Sequence, residues 1–200
     1  MNDIRPVIVR GSKVSLGVLI ESDTEFLFSA INNPEVHRFL RNPGRIMYIG
    51  DEINWFRSLS EKSANDRHFA IIENDGMEIV GVIGVREIDW INGTGIIGYF
   101  LSQDKWGKGF ATEAISLTVK FCFETLNVRK LTSSVFEPNK ASAKALIKNG
   151  FSECGRFHKQ AFIRDYGFVD EIMFEKFNYL WPSRSSGPQG WSTLRWRCAP

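Results

Sequence analysis

Gly107 and Gly109 stand two residues apart between an apolar stretch and a helical pattern, and that placement can do one particular piece of chemistry. Gly95 to Ser102 is apolar and aromatic in the manner of a buried strand, whereas Ala111, Ala114, Ile115, Thr118, Cys122 and Leu126 recur at helical spacing. The first backbone N–H groups of a helix have no acceptors within it, and together with the positive end of the helix dipole they attract an anion. Glycine lets a phosphate approach the main chain closely and tolerates positive φ. Lys105 and Lys108 add positive charge. The run from Trp106 to Ala114 therefore reads as a pyrophosphate cradle, beside the plainer reading of an ordinary strand-to-helix turn. A P-loop is excluded because no Gly-Lys-Ser/Thr closes the turn, and a dinucleotide fingerprint lacks its third glycine and its acidic ribose ligand.

A cradle of this kind needs a sheet to hold it. Val7 to Leu19 reads as an extended pair about the turn Gly11 to Lys13. Ser22 with Glu25 makes a capping-box pattern that predicts a helix over 25–33, stopped by Pro34. A second helix is predicted from Asp51 to about Lys62, with Ile53, Phe56 and Leu59 inward. His68–Glu73, Ile79–Trp90 and Thr94–Ser102 read as successive strands, separated by Asn74 to Gly76 and by Asn92-Gly93, residues that tolerate tight hairpins. His68 has no second ligand at metal-binding spacing and reads as structural. Arg129–Glu137 is the next strand, and Asn139–Asn149 a helix released by a left-handed Gly150. Ser152–Arg164 and Phe168–Phe177 close the domain as two strands about Asp165 to Gly167. The helix after the cradle joins two strands that must then run parallel, with a right-handed crossover.

Composition limits the function classes. Two hundred residues, 43% hydrophobic and 24% charged, suit one domain with a substantial core, and a net charge of +2 argues against a strongly basic nucleic-acid surface. Cys122, Cys154 and Cys198 are odd in number and lack metal-ligand spacing, which points to reduced thiols in the cytoplasm and to no metal. No membrane span or signal peptide is expected. Residues 178–200 contain no Asp or Glu, alternate Arg184, Arg195 and Arg197 with tryptophans, and read as an irregular or disordered tail behind a domain at 1–177.

Three motifs in order carry a resemblance. The run 106–114, then Val135 to Ser142, then Lys148 to Phe151, resembles the acyl-CoA-binding core of the GNAT superfamily of N-acetyltransferases, most nearly the branch of the ribosomal-protein N-terminal acetyltransferases. The likeness extends over most of residues 8–177, including Ile88 to Trp90 and Phe162 to Asp165. It implies an α/β (α+β) GNAT fold: a mixed, twisted sheet of about seven strands, helices on both faces, and a parallel strand pair that splays to expose hydrogen-bonding groups. It also implies acetyl-CoA as co-substrate and direct attack of an amine on its thioester.

Carried onto this sequence, the resemblance gives Trp106, Gly107, Lys108, Gly109, Phe110, Ala111 and Thr112 to the CoA diphosphate. Phe100 and Leu101 fall to the pantetheine and the thioester carbonyl, and Asn139 to the cofactor arm. Ser142 matches a serine proposed as proton donor in the ribosomal-protein branch, with helix capping or CoA contact as its plainer roles. Lys144 faces either the cofactor phosphates or water. The tyrosine commonest in the superfamily as proton donor is Leu146 here, and the two positions that often hold a glutamate base are Ile96 and Phe162. Glu87, Asp89 and Glu137 remain as carboxylates near the expected cleft; Glu137 is the candidate base, with an ordinary strand-end surface group as its competing reading. Arg38, Tyr48, Trp55 and Phe56, with Glu87, are candidate acceptor contacts, each also open to a packing role.

The implied activity is transfer of acetyl to a primary amine of a small molecule or of a peptide or protein N-terminus. The alternatives are a nucleotide-linked amino sugar as acceptor, or a non-catalytic CoA-binding sensor suggested by the missing tyrosine and glutamates. Neither membrane nor nucleic acid is expected as a partner, and a homodimer is left open.

Overall fold

The computed structural model describes residues 5–40 and 44–181, and the expected tail lies almost entirely outside them. Eight strands form one sheet in the order β1-β2-β3-β4-β5-β6-β8-β7, matching the strands read along the sequence and the mixed sheet of about seven that the resemblance implied. They are β1 (Val7–Arg10), β2 (Val14–Gly17), β3 (Arg67–Glu73), β4 (Ile79–Asp89), β5 (Thr94–Leu101), β6 (Lys130–Phe136), β7 (Ser152–Ile163) and β8 (Gly167–Phe177). Every neighbouring pair is antiparallel except β5 with β6. That exception follows from the crossover through a helix, since parallel neighbours cannot be joined by a tight turn.

The helices are α1 (Asp23–Asn32), the single turn α2 (Pro34–His37), α3 (Ile49–Lys62), α4 (Phe110–Lys120) and α5 (Lys140–Lys148). Strand alternation sorts them onto two faces. On β3, Phe69 and Ile71 join the cluster that packs against α4 and α5 through Phe110, Ile115 and Leu146. Ala70 and Ile72 face the opposite cluster, where Leu27, Trp55, Phe56 and Leu59 bring in α1 and α3. Burying the sheet on both sides fits the nearly continuous apolar runs of β3 and β4.

Two local expectations change. Ser22 does not cap α1 with its side chain. Asp23 instead accepts from the Ile20 amide at 2.9 Å and pairs with Arg5, and that pairing, 3% exposed on the aspartate side, fixes the entry to the helix. The pattern that predicts one helix through Leu126 is interrupted after Lys120 by a π-turn over Phe121–Thr125, which keeps Cys122 fully buried. Such a turn inserts an extra residue per bond and rotates the following side chains.

Candidate active site

The cradle forms where β5 leaves the sheet and α4 begins. Gly107 and Gly109 both take positive φ, 77° and 86°, the region glycine enters without a Cβ penalty. The amides of Phe110, Ala111 and Thr112 form the first turn of α4, where N–H groups have no helical acceptor. That turn is anchored from two sides. The Glu113 carboxylate accepts from the amides of Ser12, Lys13 and Val14 at 2.5, 2.9 and 3.3 Å, pinning α4 to the β1–β2 turn. Burial pushes the Glu113 pKa up, but those backbone donors outweigh it and hold the group below its ordinary value. From α5, the Asn149 side-chain amide donates to the carbonyls of Thr112 and Ala145, each at 2.9 Å. A cavity of about 560 Å³ opens over the cradle, lined by Trp106, Gly107, Gly109, Phe110, Ala111, Thr112, Asn139, Ser142 and Lys144 among others. Lys108 is outside that lining, with its ammonium over the Phe110 ring, and Lys105 is neutralised by Glu73 at 2.5 Å. Lys140 and Lys148 also line this cavity and add positive charge.

The β5–β6 pair parts as expected. Ladder pairing covers Thr94, Gly95 and Ile96 against Lys130, Leu131 and Thr132 and then stops. Beyond it Ser133 Oγ donates to the Ile97 carbonyl at 3.0 Å, and Trp106 Nε1 donates to the Leu101 carbonyl at 3.1 Å. At the gap the cradle cavity meets a second one of about 400 Å³. Tyr99, Phe100, Asn139 and Ser142 line both and mark their junction.

At that junction the Tyr99 hydroxyl lies 2.8 Å from Ser142 Oγ. Burial pushes the Tyr99 pKa up to about 12, partly opposed by the bond to Ser142. The phenol therefore keeps its proton near neutrality and can act as a donor. Asn139, not Ser142, caps α5, with its side-chain oxygen accepting from the Ser142 amide at 3.2 Å. Ser142 Oγ is thus directed at the junction. The sequence alone points to Ser142 but not to its partner, because Tyr99 sits inside a strand that reads as buried.

The second cavity is walled by α1 and α3 on one side and by β3–β6 on the other. Of the expected acceptor residues, Trp55 lines it, Arg38 lines the cradle cavity instead, and Tyr48, Phe56 and Glu87 line neither. Tyr48 is 68% exposed, and Phe56 packs in the α1–α3 core. Glu137 also lines neither cavity; it lies near Arg156 at 3.4 Å and Lys140 at 3.8 Å, the surface arrangement that was its competing reading. The walls instead bring in Glu52, His68, Arg86 and Glu171. Glu52 is 2% exposed, and burial followed by repulsion from Asp51 raises its pKa against the pull of Arg45. His68 stands edge-on to Trp55 with ring centroids 5.4 Å apart, and burial lowers its pKa so that the neutral ring is favoured. Its place in the cavity wall goes beyond the structural role read from the sequence.

With this geometry established, comparison with known proteins is specific. Residues 14–152 match the family model described as an acetyltransferase (GNAT) domain. An uncharacterized N-acetyltransferase p20 from Bacillus licheniformis is 33% identical over 159 residues, covering 76% of this chain and 85% of the relative. The crystal structure of spermidine N-acetyltransferase from Vibrio cholerae in complex with CoA and spermine superposes with a TM-score of 0.75 at 20% identity, covering 84% of this chain and 96% of that one. The ribosomal-protein-S5-alanine acetyltransferase from Vibrio fischeri gives a TM-score of 0.75 at 20% identity, covering 90% of this chain and 100% of that one.

Proposed function

The chain belongs to the GNAT acetyltransferase family, and we propose that it moves an acetyl group from acetyl-CoA to a primary amine of a small molecule or of a peptide terminus. The observation that carries this reading is the meeting of two cavities at Tyr99 and Ser142, where β5 and β6 part. The larger cavity has the glycine turn, helix N-terminus and rim lysines that suit a diphosphate. The smaller has apolar walls with a few polar groups, the usual make-up of a small-molecule site. The related structures act, by their names, on a polyamine and on a ribosomal protein, and both kinds of acceptor supply an amine.

Direct transfer needs the thioester carbonyl polarised, the attacking amine unprotonated and the departing thiolate given a proton. The Leu101 amide, on the edge that β6 leaves open, serves the first need, while the Phe100 amide is turned toward β4. Ser142 delivers the proton and Tyr99, hydrogen-bonded to it, replenishes the hydroxyl. The amine loses its proton to water or to a cavity carboxylate, and Glu137 is not required for that step. The free thiols of Cys122 and Cys154 support a reducing, cytoplasmic setting, and sedimentation tests for a homodimer.

Thiol release from acetyl-CoA across a panel of amines, peptides and nucleotide-linked amino sugars tests the reading. Turnover with amines or peptide termini supports it; turnover confined to amino sugars, or tight CoA binding with no turnover at all, replaces it with one of the two alternatives.

A further inference from the structure

We infer that the preferred acceptor carries a second cationic group and that the Glu52 carboxylate receives it, which makes alkyl diamines and polyamines the substrate class. The inference rests on the smaller cavity being the acceptor site. Glu52 belongs to the first turn of α3, is 2% exposed and lines that cavity. Among the described residues no donor hydrogen-bonds its carboxylate, and no cation forms an ion pair with it. Leaving a carboxylate buried and uncompensated is strongly unfavourable. Its nearest charges do not cure this: Asp51 repels it, and Arg45 is already shared with Asp51 at 3.3 Å. A ligand cation supplies what the described residues do not.

Position decides which part of the ligand is involved. The amine that reacts must lie at the junction, where Tyr99, Phe100, Asn139 and Ser142 border both cavities, whereas Glu52 borders only the smaller one. The charge at Glu52 therefore belongs to another end of the same molecule. Leu27, Ile31, Met47 and Trp55 line the same space and suit an alkyl spacer. Among the described residues on this lining, Glu171 is a second buried carboxylate, burial lowers the His68 pKa, and Arg86 is a permanent cation.

The test compares 1,4-diaminobutane, n-butylamine and 4-aminobutanoate as acceptors, with thiol release giving kcat/KM and calorimetry on the CoA complex giving affinity. A charge-assisted hydrogen bond predicts that the wild type prefers the diamine over the monoamine by about tenfold or more. Glu52→Gln, which keeps the size and removes the charge, brings that ratio close to one while CoA affinity stays at the wild-type value. A wild-type ratio near one, a preference for 4-aminobutanoate, or a diamine preference that survives Glu52→Gln overturns the inference. If CoA binds but no amine releases thiol, the transfer reading fails, and the diamine-to-monoamine affinity ratio still decides whether Glu52 receives a cation.

Discussion

Replacing Tyr99 with phenylalanine removes one hydroxyl and separates a chemical role for the Tyr99–Ser142 pair from a packing one. The hydroxyl lies 2.8 Å from Ser142 Oγ, at the junction of both cavities. As a bond between neutral groups it contributes about 1 kcal/mol to stability, which for a domain of this size shifts Tm by roughly 2–4 °C. As part of the route by which a proton reaches the departing thiolate it is worth far more, since general acid catalysis contributes about 10²–10⁴-fold, or roughly 3–5 kcal/mol of barrier. The two roles differ enough to be told apart in one variant. Tyr99→Phe is expected to lower kcat by about tenfold or more, with CoA affinity by calorimetry unchanged. Combined with Ser142→Ala it should be no slower than Ser142→Ala alone, because both remove the same route. Alkaline stability gives an independent check. The folded pKa of about 12 stands above the ordinary value of 10.0, so the contribution of Tyr99 is fully present below pH 10 and is lost as pH rises toward 12. That loss amounts to about 3 kcal/mol, and Tyr99→Phe should show it no longer. A kcat within twofold of wild type, or effects of the two substitutions that simply multiply, would refute the relay and leave the pair a packing contact.

Gly107→Ala meets no neighbouring atom within 4 Å and so probes backbone conformation alone; forcing a side chain to φ 77° costs about 1–2 kcal/mol, and CoA affinity by calorimetry should fall by up to about tenfold. An unchanged affinity would show that this turn does not touch the diphosphate. Glu113→Gln should flatten the acid limb of the stability curve, because the depressed carboxyl stabilises the fold above its ordinary value of 4.5 and loses that contribution as pH falls through the lower folded value. Chemical denaturation from pH 6 downward checks it, and an acid limb as steep as wild type would mean the three backbone bonds to Glu113 are not maintained. Trp55→Leu should raise the KM for the acceptor while leaving CoA affinity intact, since Trp55 borders only the smaller cavity. Equal losses for both ligands would show that the cavities are not separate sites.

What the sequence makes legible here is what is local. Gly107, Gly109 and the start of α4 lie within a few residues, and both their conformation and their dipole follow from that segment alone. Tyr99 is not legible in the same way, because its role depends on a hydroxyl 43 positions later that only the fold brings near. Glu52 lies between these cases. Of Ile53, Phe56 and Leu59, the inward face expected for α3, Phe56 and Leu59 pack in the core and Ile53 does not; Glu52, Trp55, Phe56 and Leu59 follow the i, i+3, i+4, i+7 pattern of a buried stripe. The carboxylate occupies a position where the helix period calls for an apolar side chain. His68 follows the same logic on β3: it alternates with Ala70 and Ile72, which face α1 and α3, so the strand period directs it to the acceptor side. An ionisable residue in phase with its apolar neighbours is costly to bury, and the fold tolerates that cost where something outside the chain compensates it. The period that locates the core also locates the exceptions to it, and in this protein Glu52 and His68 converge on one cavity while Gly107, Gly109 and the start of α4 line the other.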